Sequence, residues 1–300
     1  MAQILKKMKS QHSKGMIDDF SNRYLALSCQ EGYYQCDDYF KLKSDAARKQ
    51  TVDKTCRYAM TTWCFQVSDY FNASEETASI AMSYIDRFLS SNQGSFVLNN
   101  KNWFQLAVMT SLKLAIKVHE SRSRLCAETL SQLSRGLFSA EDITVMEREL
   151  LSALSWRLCP ATPYVFLEFF IDLLPPSLPS TTRSLLLKAS KKQIYLACPY
   201  FSFSLEKPSD VAFASLLNSM EDARCTLEHE NSLRCCADLA GFKSSSESYH
   251  DLRTKLHSLL IPQNEIENKV VPCSQSRING TRKKQQQEQL SPVSVRQAYR

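Results

Sequence analysis

The residues able to do chemistry are charges set inside greasy repeats. In SIAMSYIDRFL (residues 79–89), Asp86 and Arg87 interrupt an apolar helical pattern, and a carboxylate beside such a stripe needs a cation once it leaves water. Arg57, the cation placed well inside the apolar run from Val52 to Tyr70, can answer in two ways. Pairing with Asp53 one turn back is a local contact worth about 0.2–0.5 kcal/mol, whereas pairing with Asp86 ties two helices together. Elsewhere, Lys113 and Lys117, four residues apart, leave one apolar segment on the same side, and Glu147 lies beside the apolar face of a later one. An ammonium and a carboxylate presented by packed helices can donate to and accept from polar groups outside them. On spacing alone, Lys117 and Glu147 also read as solvated helix residues.

Catalytic chemistry is not written here. With six Gly in 300 residues there is no Gly-rich phosphate loop, no G-x-S-x-G and no pair of carboxylates on facing strands. The eleven Cys are an odd number with no C-x-x-C, and the five His have no H-E-x-x-H or Cys/His ligand spacing, so neither metal nor cofactor is expected. Free thiols in a reducing compartment are the simplest account.

The elements that must position these charges are helices. Ser74 caps one, with Glu75 and Glu76 in its first turn, and Ala78, Ala81, Ile85 and Phe88 recur at helical spacing, widened by Tyr84 and Leu89. The segment from Trp103 to Val118 is apolar nearly all round and reads as the hub of a bundle, its two lysines leaving toward the C-terminal end. A short helix follows at residues 127–133. Ser139 with Asp142 then opens another as a capping-box variant, continuing through Ile143, Met146, Leu150 and Leu154 with Glu147 beside the apolar face. Five helices complete a unit by Trp156.

RYAMTTW (57–63), SYIDRFLSS (83–91), FQLAVMTSLKLAIKVHE (104–120) and VMERELLSALSWRL (145–158) resemble, in order and spacing, the cyclin box. ATPYVFLEFF (161–170) and KPSDVAFASLL (207–217) resemble the first and central helices of a second box. Tyr39-Phe40 ahead of the box, the TTW wording and LSWRLCPATPYVFLEFF across the junction are most similar to a D-type, or G1, cyclin. The resemblance covers about residues 38–260. It implies an all-α chain of two tandem five-helix boxes: an N-terminal segment and helix (1–37), a first box (38–159), a second, box-like domain (160–262) and a disordered basic tail (263–300).

By resemblance, Lys117 and Glu147, flanked by Leu114, Val118, Leu150 and Leu151, are the residues that grip the C helix of a cyclin-dependent protein kinase. Arg57 and Asp86 match the family's buried structural pair. The family's patch for substrates carrying Arg-x-Leu falls on Cys56, Met60, Trp63 and Gln66. Cys56 stands where Met is usual and Gln66 where Glu is usual, which replaces a charge-assisted bond to the substrate's arginine by a neutral one; core packing of Cys56 and Met60 is the other reading. LSCQE spells, through Leu27, Cys29 and Glu31, the L-x-C-x-E motif by which D-type cyclins engage retinoblastoma-type pocket proteins. It sits where the N-terminal helix itself should lie, so these residues also read as a helix turn packing onto the box.

The formal net charge of +6 is concentrated near the end, in Arg277, Arg282, Lys283, Lys284, Arg296 and Arg300, within a polar tail that reads as disordered. Arg282-Lys283-Lys284 reads either as a solvated basic run or as a nuclear-import signal, and Ser291-Pro292 is a minimal proline-directed phosphosite. RSRL (122–125), with the similar letters at 148–151 and 253–256, fits minimal destruction-box wording inside or beside helices. MAQILKKMKSQ lacks the apolar run of a signal peptide, and residues 164–174, broken by Glu168 and Asp172 and closed by Pro175-Pro176, read as a core helix. No membrane and no specific nucleic acid are expected, and the localisation implied is nucleus and cytoplasm. The rival to a kinase-regulating subunit is a cyclin-fold transcription factor or transcriptional cyclin, disfavoured by the matching Lys and Glu and by the small positive excess in the helical core.

Overall fold

A computed structural model describes residues 11–41, 51–121, 125–243 and 247–260. The basic tail with Ser291, and most of RSRL at 122–125, lie outside the described residues. Every regular element among the described residues is helical. In chain order these are α1 (Gln11–Tyr33), α2 (Lys54–Tyr70), α3 (Glu75–Ser90), α4 (Lys101–His119), α5 (Ala127–Leu133), α6 (Ala140–Ala153), α7 (Pro163–Asp172), α8 (Ser180–Ala197), α9 (Phe201–Ser204), α10 (Pro208–Asp222), α11 (Leu227–Leu239) and α12 (Glu247–Ser258), with a 3₁₀ turn at Ser95–Asn99. The described residues divide into two compact units, one of residues 35–160 with 198–205, the other of α1, residues 161–197 and residues 206–260.

In the unit of residues 35–160, local capping chemistry sets the starts of the helices. Asp53 accepts from Cys56 N at 2.8 Å, Ser74 Oγ from Thr77 N at 3.1 Å, and Ser139 and Asp142 form a reciprocal capping box. α4 is the hub, packed by α2, α3 and α6, with Phe104 to Leu112 buried without a break. Each Leu or Phe removed from water there contributes about 1.5–3 kcal/mol. The ends of the hub project, however, leaving Trp103 and Val118 exposed. Gly94 is required where the chain turns after α3, since a Cβ there would stand 2.1 Å from the Phe88 carbonyl oxygen.

In the other unit α10 is central, packed by α7, α8 and α12. Phe166, Phe169, Phe170, Phe213 and Phe242 make its core. α1 lays Tyr24 against Phe166, Phe169 and Phe242, at 5.9–6.5 Å between ring centres. α1 therefore belongs with the second set of helices, which departs from the expectation that it stands as a separate segment packing onto the first box. The other departure is residues 198–205, which fold back onto α2 and so belong with the first five helices rather than inside a continuous 160–262 domain. Arg183 gathers the C-terminal end of α7, donating to the carbonyls of Ile171, Leu174, Pro175 and Leu178, groups that a helix end leaves unsatisfied. Residues 221–241 are not one continuous helix: α10 ends at Asp222, Arg224 turns at φ 51° and Thr226 caps α11.

Candidate functional site

Arg57 on α2 and Asp86 on α3 face each other with both side chains almost wholly enclosed. The guanidinium donates from Nε to Asp86 Oδ1 at 2.9 Å and from NH2 to Oδ2 at 2.7 Å, the bidentate geometry that makes such pairs strong. Its remaining donors reach the carbonyls of Cys198 and Pro199 at 2.9 and 3.0 Å and Ser204 Oγ at 2.6 Å. Tyr39 donates its hydroxyl to Asp86 Oδ1 at 2.8 Å. Burial opposes the charge on Arg57, but Asp86 outweighs it and the guanidinium's pKa is raised. Asp53 is occupied as the α2 cap, so the local alternative for Arg57 does not form. The pair fixes α2, α3 and the 198–205 segment together and is too deep to meet a ligand.

A second charge cluster is at the surface. Glu147 on α6 lies between two lysines of α4, Lys113 Nζ at 2.5 Å from Oε2 and Lys117 Nζ at 3.0 Å from Oε1. The side chains of Glu147 and Lys113 are 10% and 12% exposed, that of Lys117 65%. Burial pushes the Glu147 carboxyl up, but hydrogen bonds from Lys113 and then Lys117 more than offset it and the group titrates below the usual carboxylate range. Lys117 and Glu147 are thus paired with each other rather than separately solvated. Among their apolar neighbours in sequence, Val118 is exposed and Leu151 half-buried, while Leu114 and Leu150 are 2% and 0% exposed. Those last two support α4 and α6 from within the core and present nothing to a partner.

The family profile described as "Cyclin, N-terminal domain" matches residues 28–159, the stretch that carries both clusters. Residues 28–159 are therefore a cyclin N-terminal domain. Among curated relatives, it is 29% identical over 165 residues to the G1/S-specific cyclin-D1 of Xenopus laevis (55% of this chain, 54% of the relative). To Cyclin-D4-2 of Oryza sativa subsp. japonica it is 30% identical over 180 residues (60% and 46%). The chain spans about half the length of the curated relatives it matches. The X-ray structure of a viral cyclin from herpesvirus saimiri aligns with a TM-score of 0.59 at 17% identity, covering 81% of this chain and 96% of that one, a likeness of fold.

Two surfaces suggested by the cyclin resemblance are not presented in this structure. Cys56, Met60 and Trp63 are only 2–3% exposed, leaving Gln66 as the exposed member of the substrate-docking set. The three side chains pack in the core, which corrects the docking reading. The L-x-C-x-E letters lie within helical α1, not in an extended segment. Cys29 is exposed and Leu27 half-buried, but Glu31 is buried, taking Ser209 N at 2.7 Å and Ser209 Oγ at 3.1 Å. It caps α10, whose Lys207 supplies no side-chain cap. A pocket protein reading these letters in extended form would have to unwind α1 and uncap α10.

Two partners of these charges, and one helix cap, go beyond what sequence reasoning reached. Lys113 joined Glu147 instead of simply facing solvent, Tyr39 completed the Asp86 site, and Glu31 became a cap. The four-residue spacing of Lys113 and Lys117 was a usable signal, because i and i+4 share one helix face. Among the described residues, no group of three or more His, Cys, Asp and Glu is placed to hold a metal ion, and no helix is long and apolar enough to cross a membrane.

Proposed function

We propose that this chain is a non-catalytic regulatory subunit that binds and activates a cyclin-dependent protein kinase, acting in cell-cycle progression at the G1/S transition in nucleus and cytoplasm. The observation that carries the reading is the Lys117–Glu147 pair, held at the surface by two packed helices within a cyclin N-terminal domain. Lys117 and Glu147, with Val118 and Leu151 beside them, hold the kinase C helix inward by binding that conformation in preference to the outward one. This completes the kinase's Lys–Glu ion pair and orders its activation segment. D-type relatives support the G1/S assignment.

The test is a pull-down from dividing cells of the wild-type chain and of Lys117→Ala/Glu147→Ala, with kinase activity assayed on a histone and on a pocket protein. Activity retained by the wild type and lost by the folded double variant is the expected result. A folded wild-type chain that recovers no kinase would overturn the reading and favour a cyclin-fold transcription factor, recognisable by nucleic-acid retention that falls steeply with salt.

A further inference from the structure

Glu147 has one more cation than it needs. A single carboxylate between two ammonium groups leaves the cluster with a net charge of +1, and the two lysines are held very differently. Lys113 is nearly enclosed against Glu147 Oε2, whereas Lys117 reaches Oε1 from an exposed four-carbon stem. If Lys117 were the sole counter-cation, turning it outward to a partner would leave a nearly buried carboxylate uncompensated, the situation that makes breaking an enclosed pair so costly. With Lys113 in place, Lys117 can leave and Glu147 stays paired, its Oε1 now free to accept from the partner.

We propose that Lys113 is a positioning residue: the fixed counter-cation of Glu147 that releases Lys117 to swing out and donate to the docking partner. The partner surface suited to this face offers acceptors to the released ammonium, such as backbone carbonyls left open at a helix end or a carboxylate, and one donor to Glu147. This rests on the kinase-binding reading and adds how its two charged residues are made available together.

The experiment measures equilibrium binding of the cyclin-dependent kinase recovered with the wild-type chain, purified and immobilised, to a series of variants. Lys113→Met is expected to weaken binding at least tenfold with little change in melting temperature, because Lys117 is then held back by Glu147. Lys113→Arg is expected to restore binding to within about twofold to threefold of wild type. In the Glu147→Gln background, where no carboxylate remains to hold Lys117 back, Lys113→Met is expected to cost little further. A merely structural role for Lys113 would lower the melting temperature and persist with Glu147→Gln. If Lys117→Met loses the kinase while Lys113→Met binds like wild type, or if the Lys113→Met loss is unchanged by Glu147→Gln, the positioning role is overturned and the kinase reading stands. If neither lysine nor Glu147 affects binding, the kinase reading through this face falls, and the proposal with it.

Discussion

Replacing Asp86 by Ala is the sharpest test of how the helices of residues 35–160 are locked. The substitution leaves the Arg57 guanidinium, 1% exposed, with three neutral acceptors and no counter-charge, and it takes the acceptor away from the Tyr39 hydroxyl. Breaking one side of an enclosed pair costs about 3–5 kcal/mol, and an orphaned buried hydroxyl about 1–3 kcal/mol. The carbonyls of Cys198 and Pro199 and Ser204 Oγ recover part of this, so the expected loss is about 3–5 kcal/mol, a large share of the ~5–15 kcal/mol that holds a domain folded. Removing both charges with Arg57→Met/Asp86→Leu should cost less than the sum of the single losses by about 2–3 kcal/mol, because no charge is stranded. It should not be neutral, since the two carbonyls lose their donor. Urea unfolding followed by tryptophan fluorescence suits the question, because Trp63, Trp103 and Trp156, the three Trp of the chain, all fall within residues 35–160. A loss below about 1 kcal/mol for Asp86→Ala, or single and double losses that add to within about 0.5 kcal/mol, would refute the reasoning.

Gly94→Ala forces a methyl carbon to within 2.1 Å of the Phe88 carbonyl oxygen and is expected to destabilise the same unit by about 1–3 kcal/mol, read by the same urea titration. Glu120 accepts from Ser74 N and Thr77 Oγ1, both at 2.7 Å; burial pushes its carboxyl up, these bonds outweigh it, and its pKa is lowered. Its contribution is therefore present above the ordinary glutamate pKa and lost as pH falls through the lower folded value, so Glu120→Gln should flatten the acid limb of the melting-temperature profile. Asp210 behaves oppositely: burial first, then the nearby Glu31, raises it to about 6, so the stability of its unit falls as pH rises from the ordinary aspartate value toward about 6, and Asp210→Asn should remove that slope in a circular-dichroism melt.

What the sequence made legible follows the range of the interactions. Capping is settled within four residues, so Ser74, Ser139 and Asp142 could be read directly, and an apolar stripe repeats often enough to place α2, α3, α4 and α6. The Arg57–Asp86 pair was legible as one of two options, because a charge inside each of two apolar helices restricts the partners. The structure decides between them through Asp53, whose carboxylate is already engaged with Cys56 N. Beyond that range the pattern gives a face without saying what covers it. Cys56, Met60 and Trp63 form a correct apolar face, yet periodicity cannot distinguish a face buried in the core from one left open to a docking peptide. Glu31 is the extreme case, since its partner Ser209 lies 178 residues away and nothing local announces it.

The same distinction separates the L-x-C-x-E letters, which a helix takes apart, from the two lysines of α4, which a helix brings together. L-x-C-x-E needs extended backbone, and in α1 its middle position is turned away from the other two: Cys29 faces solvent while Glu31, one turn on from Leu27, faces the core. Letters that line up on a strand are dispersed by a helix. Lys113, Lys117 and Glu147 form no named motif, but the i, i+4 spacing of the two lysines brings them onto one helix face. With α6 packed on α4, the one acidic residue of α6 buried beside that face meets both cations. A helical chain therefore carries its binding chemistry in spacings of three and four across packed helices, and a substitution that keeps the letters but shifts their register on α4 by one residue should separate Glu147 from its lysines while leaving the composition of the face unchanged.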